Sequence, residues 1–146
     1  MPPARAGQLL AALGEEAVIV DVEGSRHWMR AGDVGDAEVA GEAADASVRL
    51  PPTFDHYVVG ATRQAGHLMP GDFRAGVHRP QGWVSPVLLV NGRMDGVWRH
   101  ERTGRRLVVR IEPFVALPRW ARARAEDEAA RLAAYLGGQL ELVWES

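Results

Sequence analysis

No cysteine occurs in this chain of 146 residues, which excludes disulfides and thiolate metal sites. Lysine is absent as well, so all 17 basic residues are arginines. An arginine-only complement follows from the codon preference of a GC-rich genome, and by itself it is no evidence for phosphate binding. No apolar run approaches the length of a membrane span, so no membrane partner is expected. The run Leu9-Leu10-Ala11-Ala12-Leu13 is too short for a signal segment and lacks a basic flank. A bacterial cytoplasm is the expected location. His27, His56, His67, His78 and His100 show neither i,i+4 pairing nor an HExxH pattern, so no zinc site is expected. With no Ser-His-Asp order, P-loop or Rossmann glycine pattern, no cofactor is expected either.

What is present suffices for one hydrophobic core, since 47% of the residues are hydrophobic. The charges are unevenly placed. Residues 1–46 carry a net −6, residues 47–124 a net +8 and residues 125–146 a net −4. A basic middle between acidic ends suggests an anionic partner for the middle. Equally, the acidic ends can fold back onto it.

Ala4 to Leu13 reads as a helix closed by Gly14, and Glu16 to Val22 as a strand. Glu23-Gly24-Ser25 turns into a second strand, Arg26 to Arg30. A helix followed by a hairpin is the closing half of a winged helix. Ala31 to Ala44 is a weak helix or a linker, with a boundary near Asp45. Val48 to Leu50 is a short strand broken by Pro51-Pro52, and Phe54 to Gly60 is a strand or a helical turn. Pro86 to Val90, the turn Asn91-Gly92 and Met94 to Glu101 form a hairpin, because both turn residues tolerate positive φ. Arg102-Thr103-Gly104 turns again into Arg105 to Glu112, with Leu107, Val109 and Ile111 on one face. Pro118 suits the first position of a last helix and Gly137-Gly138 its stop. Ala121, Ala125, Ala129, Leu132 and Leu136 share one face of it. Gln139 to Trp144 is a final strand. The expected fold is α+β: a partial winged helix over 1–46, then a small antiparallel β-barrel-like domain with a covering C-terminal helix over 47–146.

Three stretches carry a family resemblance: LPPTFDHYVVG from Leu50, GWVSPVLLVNGRMDGVWRHER from Gly82 and RLVVRIEPF from Arg106. In order and spacing they resemble the C-terminal region of the AlkZ/YcaQ-type winged-helix DNA glycosylases. The helix ending in Gly137-Gly138 and the strand ending in Trp144 resemble that family's tail. The resemblance implies base-excision enzymes with three tandem winged helices and a C-terminal β-barrel, acting on alkylated or crosslinked duplex DNA. It also implies a catalytic Gln–apolar–Gln or Gln–apolar–Asp motif in the first winged helix, whose polar pair positions the attacking water. This chain is expected to begin inside the third winged helix, without that motif. Its glutamines are Gln8, Gln64, Gln81 and Gln139. Only Gln139-Leu140-Glu141 approaches the pattern, and in a strand such spacing merely puts two polar side chains on the solvent face.

No catalytic residue is therefore assigned. Arg99, Arg102, Arg105 and Arg106 crowd one hairpin end and are candidates for DNA phosphates or a minor groove, with a solvated turn as the alternative. Arg119, Arg122 and Arg124 open the last helix, where the macrodipole disfavours cations. Either a phosphate offsets that repulsion, or i,i+4 pairs Arg122–Glu126 and Arg124–Glu128 do. Asp55, Tyr57 and Arg63 are candidates for a position near an intact active site, with Asp55 as a local cap the alternative. The five tryptophans read as core anchors, and only Trp83, after Gln81-Gly82, is placed to stack on a base. The expected function is a DNA-binding, non-catalytic fragment or truncated member of the family. Two alternatives remain: a glycosylase completed by an N-terminal partner domain, and a module in which the basic middle meets an acidic protein.

Overall fold

The computed structural model describes residues 3–22, 24–36, 46–61, 66–69 and 73–145. The chain divides into two compact units, Met1–Ala44 and Asp45–Ser146. In the first, helix α1 (Pro3–Ala11) precedes an antiparallel pair, β1 (Ala17–Val22) and β2 (Ser25–Arg30). The register runs from Ala17 opposite Arg30 to Val22 opposite Ser25. None of the described residues of this unit is buried. Residues 37–45, which hold most of the acidic helix-or-linker segment, lie outside the described residues.

The second unit is a curled five-stranded sheet with a long helix on one face. In chain order its elements are β3 (Val48–Arg49), α2 (His56–Gly60), α3 (Arg74–Val77), β4 (Val87–Val90), β5 (Arg93–Thr103), β6 (Arg106–Pro113), α4 (Arg119–Leu136) and β7 (Gln139–Trp144). The strands lie side by side in that order, β3-β4-β5-β6-β7. The first four are antiparallel, but β7 runs parallel to β6. This corrects the expected all-antiparallel barrel. The 18 residues of α4 span about 27 Å, close to the reach of the strand before it. The chain therefore returns to the start of β6, and Gln139 pairs opposite Arg106. A crossover of that length delivers a parallel neighbour, which a tight hairpin cannot. Among the described residues β3 and β7 are free edges, and α4 packs against both of them.

Alternation along β6 sends Leu107, Val109 and Ile111 toward α4, where all three are fully buried. They meet Ala121, Ala125, Ala129 and Ala133, whose four-residue spacing makes a flat stripe that lets the helix approach closely. Val48, Leu88, Val90 and Trp98 complete this core. Gly137, at φ 67, ends α4, and the Gly138 amide reaches back to the Ala133 carbonyl at 2.9 Å. Pro118 stands one residue before the helix rather than at its first position.

The other face carries a smaller core, Val58, Val77, Val84, Val87, Met94 and Val97, roofed by α2, α3 and their loops. The second hairpin turn differs from expectation. Thr103 pairs with Arg106, so the loop is Gly104-Arg105, and Arg102 and Thr103 belong to β5. Gly104 takes φ 60, as the first residue of a two-residue hairpin loop of this hand requires.

Candidate nucleic-acid interface

On the sheet face turned away from α4, alternation lines up Arg99 on β5 with Arg106 and Arg110 on β6. Arg99 and Arg110 stand directly opposite each other, an arrangement that repels. Glu145 answers both, 2.6 Å from Arg99 and 3.7 Å from Arg110. Glu141 of β7 holds Arg106. Glu128 of α4 takes Arg49 at 3.4 Å and Arg131 at 2.6 Å. Of the two readings of the charge asymmetry, the acidic C-terminal stretch folding back on the basic middle is the one built into this unit.

Arg102 points to the opposite face. Its Nη1 donates to the Leu136 carbonyl at 2.8 Å and its Nε to the Gly104 carbonyl at 3.1 Å. A cation at the end of α4 satisfies a terminal carbonyl and meets the negative end of the helix dipole. Arg122 lies over the Trp144 ring, 4.6 Å from its centroid. The expected pairs Arg122–Glu126 and Arg124–Glu128 are absent, because Arg122 turns to Trp144 and Glu128 to Arg49 and Arg131. Arg79, Arg105, Arg119 and Arg124 make no side-chain hydrogen bond or ion pair among the described residues. The first turn of α4 also has no acid and no side-chain cap. Arg105 and Arg119 lie near opposite ends of α4, and the arginines that crowd together in sequence are split between the two sheet faces, Arg102 on one and Arg99 and Arg106 on the other.

Two neighbouring arginines thus have different work to do. Arg102→Ser is expected to destabilise the protein by about 1 kcal/mol, the loss of a charged hydrogen bond to a helix end. Arg105→Ser is expected to change stability by less than about 0.5 kcal/mol. Urea unfolding of the two variants measures both.

Asp55 is the N-cap of α2 and accepts from the Tyr57 amide at 2.9 Å. The Tyr57 hydroxyl donates to the Gly92 carbonyl at 2.8 Å, fastening α2 to the β4–β5 turn. Burial pushes the Tyr57 phenol above its ordinary pKa. Arg63 lies outside the described residues. Burial raises the Asp95 carboxyl, against the opposing effect of Arg93 at 3.6 Å. Burial, then the Arg74 charge, lowers His78. Among the described residues no three potential ligands gather into a metal site.

One feature is more developed than its sequence suggests. His78 and Val84 form a bridge, and inside it the Arg79 amide donates to the Trp83 carbonyl at 2.8 Å. The chain reverses through Gln81 at φ 64 and Gly82 at φ 75, leaving Arg79 and Trp83 side by side at the neck of the loop. Trp83 is 51% exposed and meets Phe54 edge-on at 5.2 Å. Arg79 and Trp83 both border a cleft of about 320 Å³, with Trp98, Arg99, His100 and Glu112 among its walls. Arg79 was not singled out from sequence, although its position four residues before Trp83, across Pro80-Gln81-Gly82, was a visible signal. Of the other tryptophans only Trp98 is fully a core anchor; Trp28 and Trp120 are partly exposed.

The sequence pattern of the family described as DNA glycosylase AlkZ-like matches residues 1–135. The interstrand DNA cross-link repair glycosylase of Streptomyces sahachiroi is 34% identical over 121 residues, 83% of this chain and 31% of that protein. The solved structure of Streptomyces sahachiroi DNA glycosylase AlkZ matches with a TM-score of 0.76 at 29% identity, over 98% of this chain and 38% of that one. The chain thus spans about a third of the length of these relatives. No helix among the described residues is long and apolar enough to cross a membrane.

Proposed function

We propose, from the premise that this chain belongs to the AlkZ-like DNA glycosylase family, that it binds duplex DNA in the cytoplasm and by itself excises no base. In this reading α1 and the β1–β2 hairpin are the closing half of a winged helix. The second unit supplies unpaired arginines to phosphates, and the DNA is alkylated or crosslinked. The observation that carries the non-excising part is the setting of Gln139-Leu140-Glu141. This triplet, nearest to the motif the family resemblance implies, lies in β7, and its Glu141 is already held by Arg106. Excision needs a water fixed beside an extruded nucleotide, and a Glu141 carboxylate already engaged by Arg106 is not free to position one. Incubated with duplex carrying a methylated purine, the purified chain is expected to leave no abasic sites above background. Release of the base at an enzymatic rate would overturn this part.

An N-terminal partner domain that completes the enzyme is favoured by the first unit. Leu9 is 54% and Ile19 49% exposed, and Leu13 and Trp28 are exposed beside them. A helix and hairpin with no buried residue among the described ones call for an apolar partner. Base release restored by adding the first two winged helices of a family member, supplied as a separate chain, is the corresponding test.

A further inference from the structure

Of the three non-glycine residues with positive φ among the described residues, Asn91 is explained by its hairpin. The other two, Phe54 and Gln81, bracket Trp83: one packs on its edge, the other turns the loop that presents it. Strained backbone of this kind persists where the surroundings impose it, and it gathers at sites that hold a ligand. Here the strained segments bring together a half-exposed indole, steadied by a second ring, and a guanidinium with no side-chain partner among the described residues. An indole left in water without cause is a liability; an indole next to a free arginine at the mouth of a cleft fits a flat, anionic guest.

We infer that the Arg79–Trp83 loop binds an unpaired nucleotide, its base stacked on Trp83 and its phosphate on Arg79. This rests on the DNA-binding reading and adds to it a preference for DNA in which one base has left the stack. Arg99 in the cleft wall is tied back by Glu145, which leaves Arg79 as the cation to meet the phosphate, with Glu112 as the acid in the same walls. Size agrees with it, since about 320 Å³ sits at the small end of ligand sites and suits one base rather than a duplex. Stacking is sequence-tolerant because every base has a π-face, so no single base is favoured.

The test uses the full chain and three labelled DNAs: a paired duplex, the same duplex with one bulged nucleotide, and a single strand. Fluorescence anisotropy is read at one fixed salt concentration. The bulged duplex is expected to bind about tenfold more tightly than the paired one, the scale of one stacked base. Trp83→Leu is expected to cut that preference below about twofold while paired-duplex affinity holds. Trp83→Tyr, which keeps an aromatic face and guards against a folding defect in the leucine variant, is expected to retain most of it. Equal binding of bulged and paired DNA, or an undiminished preference in a folded Trp83→Leu protein, overturns the inference. If paired duplex fails to bind but the single strand binds through Trp83, the inference stands and duplex binding falls. If none of the three DNAs binds, both fall.

Discussion

Gly96→Ala is expected to destabilise the second unit by about 3 kcal/mol, the upper end of what overpacking costs. Its melting temperature should fall by roughly 10–20 °C. Gly96 sits in β5 between Leu88 on one side and Pro113 on the other. A Cβ there would lie 2.7 Å from the Glu112 carbonyl oxygen and 3.0 Å from the Pro113 Cα. Both neighbours are backbone, and neither can retreat without opening the β5–β6 ladder. The exit from β6 is fixed as well, because the Phe114 amide donates to the Asp95 carbonyl at 2.8 Å. Gly60→Ala is the control, since an added Cβ there meets nothing within 4 Å. A Gly96→Ala protein melting within about 3 °C of the parent would show that the ladder yields far more easily than its geometry indicates.

Replacing Arg105, Arg119 and Arg124 together by Ser is expected to weaken duplex binding by more than about tenfold. The dependence of log affinity on log salt should flatten by roughly one to three units, close to one for each guanidinium that sits on a phosphate. Replacing Arg99 and Arg106 instead is expected to change affinity by less than about threefold, because Glu145 and Glu141 already neutralise them. Removing Arg119 and Arg124 should leave α4 nearly unchanged, since relief of the repulsion between the Arg119 cation and the helix dipole offsets the lower helix propensity of serine. The two variants give opposite answers if the sequence cluster around the hairpin turn, rather than the set of unpaired arginines, is what DNA meets. Anisotropy titrations at several salt concentrations distinguish them.

Local pattern carried much of the second unit. The turn at Asn91-Gly92, the inward set Leu107, Val109 and Ile111, and the alanine stripe of α4 follow directly from φ preferences and from periods of 2 and 3.6. The direction of β7 was also legible, though it was missed. A strand, an 18-residue helix and another strand make a βαβ unit, which implies a parallel pair. The extent of the second hairpin was not legible to the residue, because either Thr103 or Gly104 can open the loop until Thr103 finds its partner Arg106. The site was harder to read. Nearness in sequence suggested one arginine cluster, but alternation puts Arg102 under α4 and Arg99 and Arg106 on the far face. Their acidic partners, Glu141 and Glu145, come some forty residues later in the chain. The pairing of Arg79 with Trp83 depends on a positive φ at Gln81, which a glutamine does not announce.

The most direct measurement is the affinity of the purified chain for a paired duplex across a salt series from about 50 to 200 mM, the range over which counterion release acts most visibly. Binding that is detectable at the low end and falls with a log–log slope between roughly −2 and −4 is the expected result, two to four phosphates neutralised by the unpaired arginines. No binding at the lowest salt, or a complex whose affinity does not change with salt, would contradict a role in holding DNA by its backbone.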